Sequence, residues 1–480
     1  MGETAFLIRS SRRGRVTLAA LTLGSGIAIL DGSVVNVALR HIGTDLGASI
    51  GQLQWVVTGY LLALAALVLA GGGLGDRFGR RRIYLLGMTI FLLASIGCAL
   101  APTIGLLITI RVVQGVGGAL LTPGALAIIQ SSFAPTDRAP AIGTWAGVSG
   151  LAGAAGPFIG GWLVDHASWR WVFGINVPLC VLVIALARWA APESRAPRSQ
   201  SQEGGSQEGG SEEGGFDVAG ASLTALALGA LTFAFTGARE FSPMLTAATI
   251  LLAVGALTAY VLLERRTTNP LVPAFLWSVR VFTAANLMTL LVYGALGAVM
   301  FVLVLQLQVS AGWSALAAGL SGLPVTIALL LLSSRAAALS ARIGPRVPMS
   351  VGPALCALGV LALVGVGAGS GWTAVLPGMT LFALGLALLV APLTATVLAA
   401  VPDAYAGTAS GVNNAVARAG SLLAVAALPV LGGLSGDAYR DPVAMTHAHR
   451  VSMLVCAVLL GLGALVSWVG LHPDRADGAS

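Results

Sequence analysis

The chain has 480 residues, of which 56% are apolar and only 9% are charged, and its mean hydropathy is +0.89. Soluble globular proteins carry charge on about a quarter of their residues, so most of this chain's surface must face lipid. Because a membrane helix needs about 20 apolar residues, the length leaves room for many spans and for no large soluble domain. A peripheral enzyme with a single anchor is therefore excluded.

The basic residues exclude further classes of function. All 26 are Arg and none is Lys, whereas a Walker phosphate loop and a Schiff-base mechanism each require a Lys. We therefore expect no ATP site and no cofactor. The net charge of +7 does not predict a nucleic-acid partner, because the Arg residues lie in short loops between apolar runs. The four Cys residues are widely spaced inside apolar runs, which predicts neither a metal site nor a disulfide.

Fourteen apolar runs predict an all-α membrane protein with fourteen spans. They lie at about 16–39, 55–73, 84–101, 104–129, 140–164, 169–189, 217–238, 245–263, 281–306, 314–338, 347–367, 372–398, 406–434 and 451–470. If the N-terminus is cytoplasmic, nineteen Arg residues lie on the cytoplasmic side and five outside. Since positive residues collect on the cytoplasmic side, both termini are predicted to be cytoplasmic, in a bacterial inner membrane.

An internal repeat predicts two related halves. GTWAGV at 143–148 returns as GTASGV at 407–412, and DRFGRR at 76–81 returns as ARIGPR at 341–346. Between the halves, 199–215 contain Gly, Ser, Gln and Glu but no apolar residue, which predicts a flexible tether. The predicted organisation is a cytoplasmic tail (1–15), a six-helix half (16–190), a linker (191–216), two inserted helices (217–263), a second six-helix half (264–470) and a cytoplasmic tail (471–480).

Five local patterns, taken in order, resemble one family. They are LDGSVVNVAL (30–39), GGLGDRFGRRR (72–82), RVVQGVGGALLTP (111–123), GTWAGVSGLAGAAGPFIGGWL (143–163) and WRWVFGINVP (169–178). Together they resemble the fourteen-span drug:proton antiporters of the major facilitator superfamily. The resemblance is strong over the first 180 residues and rests on the span count and the repeat beyond them. It implies a pseudo-symmetric bundle of two six-helix halves plus two extra central helices.

The segment 72–82, here the latch loop, joins spans 2 and 3. Its Gly residues permit a tight turn at the membrane surface, and its Arg cluster favours the cytoplasmic side. The resemblance implies that the loop latches the halves in the outward-facing state, and topology with turn formation alone is the alternative. The residues to which the resemblance assigns this role are Gly72, Asp76, Arg77, Gly79 and Arg80.

Span 5 is rich in Gly at spacings of three and four residues, which leaves a bare face for a neighbouring helix. Pro157 weakens the backbone ladder and favours a bend there. The resemblance implies that this element marks exporters and antiporters, and simple helix packing is the alternative. The residues concerned are Gly143, Gly147, Gly156, Pro157, Gly160 and Gly161.

Charges inside the spans are few. Asp31 in span 1 and Arg111 in span 4 lie at similar depths, since a helix rises about 1.5 Å per residue. A lone charge at mid-bilayer costs roughly 2.5–3.5 kcal/mol, so we expect the two to pair and to face a common cavity. Asp31 is the leading candidate for the proton carrier, with a static ion pair as the alternative. Further candidates for lining the cavity are Gln114, Asn414, Arg418, Tyr60 and Tyr293.

These observations predict a proton-coupled antiporter that exports a small hydrophobic drug or antibiotic, confers resistance and works as a monomer. One clear intramembrane carboxylate favours one proton per cycle. Two intramembrane Arg residues against one Asp favour a neutral, weakly acidic or monocationic substrate over a dication. The alternatives are a proton-coupled uptake symporter on the same fold and a polytopic membrane enzyme, the latter disfavoured because the one long loop is a Gly/Glu/Ser tether without a His/Asp or metal-ligand constellation.

Overall fold

The computed structural model describes residues 6–195, 218–238, 242–267, 272–402 and 405–471. Over these ranges the chain is helical and forms no strand, apart from an isolated parallel bridge between Leu7 and Phe133. Most of the predicted linker (residues 196–216), the first five residues and residues 472–480 lie outside the described part. The predicted all-α class is confirmed.

The first half of the chain forms a helical group in which α1 packs on α5 and α7, and α4 packs on α2 and α3. Its helices are α1 (Arg12–Leu46), α2 (Ile50–Phe78), α3 (Arg80–Leu100), α4 (Ile104–Ser132), α5 (Pro135–His166), α6 (Trp171–Gly174) and α7 (Asn176–Ala190).

The second half repeats this arrangement, with α11 against α16 and α17, and α15 against α13 and α14. Its helices are α10 (Phe275–Ser278), α11 (Arg280–Val309), α12 (Ala315–Leu320), α13 (Leu323–Ile343), α14 (Arg346–Leu363), α15 (Trp372–Ala399), α16 (Ala406–Leu431) and α17 (Pro442–Gly470). Between the halves, α8 (Val218–Thr236) and α9 (Pro243–Arg266) pack together, and α8 also contacts α2 and α16.

Among the described residues, thirteen helices are long and apolar enough to cross a membrane, and Ser222–Thr236 is a shorter apolar helix at the seventh predicted position. Two predicted spans are broken. The sixth comprises α6 and α7, separated at Ile175, and the tenth comprises α12 and α13, separated at Ser321 and Gly322. Several helices also begin before the apolar runs do, because capping side chains in the preceding polar sequence stabilise their first turns. Ser11 caps α1 and Ser49 forms a capping box on α2.

The turn between α2 and α3 is shorter than the sequence predicted. The glycines of 72–75 lie inside α2, and only Gly79, with φ +110°, leaves the helical conformation. Gly71 lies so close to α4 that a Cβ there would come within 2.5 Å of the Ala119 carbonyl oxygen. The local tendency of Gly to form a turn is therefore outweighed by close packing of two helices.

Candidate functional site

A buried polar cluster lies inside the N-terminal half, where α1, α3, α4 and α7 meet. Asp31 and Arg111 form an ion pair through Asp31 Oδ2 and Arg111 Nη1, and their side chains are 0% and 1% exposed. Gln114 contacts both: its Nε2 donates to Asp31 Oδ1 at 3.0 Å, and its Oε1 accepts from Arg111 Nη1 at 2.7 Å. The structure thus brings together three residues that the sequence analysis named.

Two further members of the cluster were missed by the sequence analysis. Asn176 Nδ2 donates to Asp31 Oδ1 at 2.7 Å, and Ser95 Oγ accepts from Gln114 Nε2 at 2.9 Å and from Asn176 Nδ2 at 3.4 Å. Asn176 lies inside the pattern WRWVFGINVP and is a polar residue at the start of an apolar helix. That amide was the available signal, whereas Ser95 offered none, since hydroxyls are common in membrane helices.

The guanidinium of Arg111 also contacts a backbone carbonyl and two aromatic rings. Its Nε donates to the Val56 carbonyl at 3.0 Å, and its Cζ lies 4.4 Å from the Tyr60 ring centroid and 5.6 Å from that of Phe173. The hydroxyl of Tyr60 donates to the Ala28 carbonyl at 2.8 Å. Because the carboxylate and the guanidinium cancel, the cluster keeps two charges inside the membrane with no net charge.

Glycines of α4 allow this cluster to assemble. A Cβ on Gly115 would lie 2.6 Å from the Tyr60 carbonyl oxygen, and one on Gly117 would lie 2.8 Å from the backbone of Gly87 and Phe91. Without Cβ atoms α4 approaches α2 and α3 closely, which places Arg111 against Tyr60. The pattern RVVQGVGG therefore supplies both the charge and the close approach that buries it.

The two halves are joined at the end of the bundle where α1 and α5 finish, which the Arg distribution predicts to be the outer side. Gln54 Nε2 donates to the Val425 carbonyl at 2.7 Å, and Gln308 Nε2 donates to the Val37 carbonyl at 2.9 Å. Asp165 accepts from the first backbone amides of α12, those of Ala315 and Leu316, at 3.0 and 2.8 Å. These bonds connect α1, α2 and α5 with α11, α12 and α16.

Loops add to this closure. The Tyr439 hydroxyl donates to the Ala48 carbonyl at 3.1 Å, and Arg440 Nη2 donates to the Gly43 carbonyl at 2.9 Å. The Ile50 amide donates to the Gly436 carbonyl at 2.9 Å. The inter-half bonds named here all lie on the predicted outer side.

The glycines of α5 near its outer end make close contacts, whereas those near its cytoplasmic end do not. A Cβ on Gly161 would lie 2.5 Å from Leu316 Cα of the other half, and on Gly156 or Gly160 it would meet α1 at 2.1 and 2.4 Å. Pro157 is also at this contact, since its carbonyl oxygen lies 2.2 Å from a Cβ built on Gly319. In contrast, no atom of the described residues lies within 4 Å of a Cβ on Gly143 or Gly147. Helix α5 is thus packed against α1 and the other half towards its outer end and is free of such contacts at Gly143 and Gly147.

The latch loop makes its described contacts within the N-terminal half. The Arg80 amide donates to the Ser194 carbonyl at 2.9 Å, and the Arg81 amide donates to Glu193 Oε1 at 3.1 Å. Glu193 also lies 3.8 Å from the guanidinium nitrogens of Arg81 and Arg82. Residues 191–195, predicted to begin a flexible linker, are therefore bound to this loop.

The other residues predicted for the latch belong to α2. Gly72 lies within α2, and Arg77 is exposed with its guanidinium 5.4 Å from the Phe78 ring. Asp76 belongs to α2, but its side chain lies outside the described part.

The residues predicted to line a cavity are separated by the structure. Gln114 and Tyr60 are buried in the polar cluster. Asn414 is exposed on α16 and bonds its own helix at the Ser410 carbonyl, and Arg418 lies one turn further along. Tyr293 is half-buried on α11 against the main apolar core.

Two cavities lie elsewhere in the described bundle, and neither is lined by a residue of the polar cluster, so the cavity expected beside Asp31 and Arg111 is not found at them. One of about 750 Å³ lies between the N-terminal segment, α1 and α5 on the predicted cytoplasmic side, and Arg9, Arg15, Asp137 and Thr144 are among its lining residues. The other, of about 340 Å³, lies between α2, α8, α9 and α16 and is lined almost entirely by apolar side chains. Among the described residues no cluster of His, Cys, Asp or Glu could hold a metal ion.

Comparison with known proteins identifies the family. Residues 21–425 match the family described as Major Facilitator Superfamily. The chain belongs to the major facilitator superfamily. The chain is 33% identical to the tetracenomycin C resistance and export protein of Streptomyces glaucescens, over 92% of this chain and 81% of that protein. It is also 33% identical to the methylenomycin A resistance protein of Streptomyces coelicolor (96% and 93% covered) and to a multidrug resistance protein of Mycobacterium tuberculosis (87% and 76% covered).

Solved structures share the fold. A POT family transporter in complex with 5-aminolevulinic acid superposes with a TM-score of 0.69 at 14% identity, covering 95% of this chain and 96% of that chain. A bacterial homologue of the human lysosomal transporter Spinster gives 0.67 at 17% identity, covering 96% and 97%. This superfamily protein is a multi-pass membrane transporter, and its relatives are antibiotic and multidrug resistance proteins.

Proposed function

We propose that this transporter exports a small hydrophobic drug or antibiotic across the bacterial cytoplasmic membrane in exchange for protons, and that it confers resistance to that compound. Relatives described as resistance and export proteins support export as the direction. The observation that carries the coupling mechanism is the buried contact between Asp31 and Arg111 in one of two opposed halves.

Asp31 is the proposed proton carrier. Its carboxylate accepts from Arg111, Gln114 and Asn176, which suits the charged form. The neutral form needs an acceptor for its new O–H, and Asn176 Oδ1 is a buried oxygen that has no hydrogen-bond partner in the described part of the chain. If the Asn176 amide turns over, that oxygen faces Asp31 and accepts the proton's hydrogen bond. The cluster thereby offers hydrogen bonds to both protonation states.

Protonation changes the charge of the cluster. With Asp31 neutral, the positive charge of Arg111 is no longer balanced, and an unbalanced charge is costly inside a membrane. In the proposed cycle Asp31 takes its proton from the outer side, and this cost favours a rearrangement of the halves that closes the outer contacts and opens the cytoplasmic side, where substrate binding displaces the proton. The described conformation, bonded at Gln308, Gln54 and Asp165, is then the inward-open member of the cycle.

The proton gradient is strong enough to drive export. One charge crossing the membrane yields about 2.3 kcal/mol per 100 mV, and one pH unit adds about 1.4 kcal/mol. The first contribution supports roughly 50-fold accumulation of substrate per proton and the second about tenfold. One carrier carboxylate therefore suffices, and no ATP is required.

Expression in a strain lacking its own efflux pumps tests this proposal. The compounds named for the relatives, tetracenomycin C and methylenomycin A, belong in the first panel with other antibiotics. We expect resistance to at least one compound, and its efflux should stop when a protonophore collapses the gradient. Proton-driven uptake of the same compound would instead favour a symporter, and efflux that persists with the protonophore would contradict proton coupling.

A further inference from the structure

Arg418 is a charged residue near the middle of α16 with no hydrogen-bond or ion-pair partner among the described residues. It lies 12 residues from the start of the 26-residue helix α16, and therefore near its middle. In the part of the chain that the structure describes, its guanidinium makes no hydrogen bond or ion pair, and its Nε is a buried donor left unsatisfied. The balance found at Asp31 and Arg111 is missing here, so a positive charge of +1 remains.

The surroundings of Arg418 place it between the halves. It is only partly exposed, and its helix packs against α2 of the N-terminal half, where Ala65 lines the same cavity as Ala415 and Ala419. In the N-terminal half, Arg111 lies 4.4 Å from the Tyr60 ring centroid, and the Tyr60 hydroxyl already donates to the Ala28 carbonyl. Tyr60 is neutral and so cannot balance the charge of Arg418. The nearest carboxylate of the cluster, Asp31, is already paired with Arg111.

The residues on either side of Arg418 along α16 contact α11 on one flank and an apolar cavity on the other. Asn413 donates to Asn286 at 3.2 Å and to Thr289 at 2.8 Å, which ties α16 to α11. Ala415 and Ala419, on the opposite flank, line the apolar cavity of about 340 Å³. Apolar volume therefore lies beside Arg418 at the same depth of the membrane.

We propose that Arg418 is the binding site for an acidic group of the substrate, and that the preferred substrates are hydrophobic compounds carrying one carboxylate or acidic hydroxyl. This proposal rests on the export function proposed above and narrows its substrate class. A guanidinium binds a carboxylate through two parallel N–H bonds, which satisfies the orphan donor and cancels the charge. The apolar body of the substrate then lies against the neighbouring apolar surface.

Binding by the purified protein in detergent tests this directly. The probes are anthraquinone-2-carboxylate and its methyl ester, which share a flat apolar body and differ in charge. We expect the carboxylate to bind at least about tenfold more tightly than the ester, the difference that one good ionic contact makes. Arg418→Gln should abolish this preference, and Arg418→Lys should keep part of it. Arg335→Gln, at an exposed position, is the control and should leave it unchanged.

A second measurement does not depend on the probe. Arg418→Met removes an unpaired charge and keeps an apolar side chain of similar length, so the ligand-free variant should melt at the same or a higher temperature than the wild type. A lower melting temperature would mean that Arg418 holds the bundle together, and would overturn the proposal. So would equal or absent binding of the carboxylate relative to the ester, or a preference that survives Arg418→Gln. Failure of the export proposal is separate, because it appears as efflux that does not depend on the proton gradient.

Discussion

Asn176 on α7 donates a 2.7 Å hydrogen bond to the carboxylate of Asp31 on α1, 145 residues away in the chain. Its own Oδ1 is buried and accepts no hydrogen bond from any residue that the structure describes. An unsatisfied buried acceptor is costly, so this amide is poised for a second arrangement in which its oxygen faces Asp31. The contact joins the carrier to a helix that the ion pair itself does not reach.

Removing this amide should weaken the fold. Asn176→Ala leaves Asp31 and Ser95 short of a donor inside the membrane, and we expect a loss of about 1–3 kcal/mol in stability. Thermal unfolding in detergent measures it. Asn414→Ala is the matched control, because that side chain is exposed and bonds only its own helix, and it should change stability by less than about 0.5 kcal/mol. Equal losses in the two variants would contradict a special role for Asn176.

The ion pair should show strong coupling in a double-mutant cycle. Arg111→Gln leaves the buried Asp31 carboxylate unbalanced, and breaking one side of a buried pair costs about 3–5 kcal/mol. Asp31→Asn with Arg111→Gln removes both charges together, so the double variant should be more stable than the sum of the single losses by at least about 1 kcal/mol. Additive losses would mean that the two charges do not interact.

Alanine substitutions at two glycines of α5 should have different effects, because one lies in the packed outer contact and the other does not. Gly161→Ala places a Cβ 2.5 Å from Leu316 Cα and should open the outer contact, whereas Gly147→Ala enters open space and should not. Distances between spin labels at Thr44 and Val443, exposed positions on the outer side of opposite halves, measure the opening. A longer distance in Gly161→Ala alone is expected. No change, or the same change in both variants, would contradict the described closure.

The turn between α2 and α3 should require Gly79. Its φ of +110° is unfavourable for any residue with a Cβ, and that Cβ would lie 2.8 Å from Glu193 Oε1. Gly79→Ala should therefore cost about 1–3 kcal/mol of stability. Adding Glu193→Ala should recover the steric share of the loss and leave the backbone strain. Full recovery in the double variant would show that the backbone conformation itself carries no cost.

Much of the fold could be predicted from the sequence, because apolar length alone identifies a membrane helix. The boundaries could not, since capping residues such as Ser49 extend helices into polar sequence. The turn predicted at 72–82 was too long: the glycines of 72–75 lie inside α2, the preceding Gly71 makes a close contact with α4, and sequence alone does not distinguish a packing glycine from a turn glycine.

The site was partly predictable, because the position of a residue along a helix can be read from the sequence and the direction in which it faces cannot. Helical rise places Asp31 and Arg111 at similar depths, and the structure joins them. Rise does not report which way a helix faces, however, so Tyr60 was assigned to an open cavity although it lies under Arg111. The contribution of Ser95 and Asn176 depends on how α3 and α7 rotate against α4, and pairwise packing of this kind has no local signature.

The most direct test of the account is transport by Asp31→Asn in proteoliposomes with an imposed pH gradient, using a compound to which the wild type gives resistance. The wild type should concentrate the compound on the acidic side by about tenfold per pH unit. Asp31→Asn, reconstituted in equal amount, should still exchange labelled for unlabelled compound but should not accumulate it. Accumulation against the gradient by the variant would contradict the assignment of Asp31 as the proton carrier.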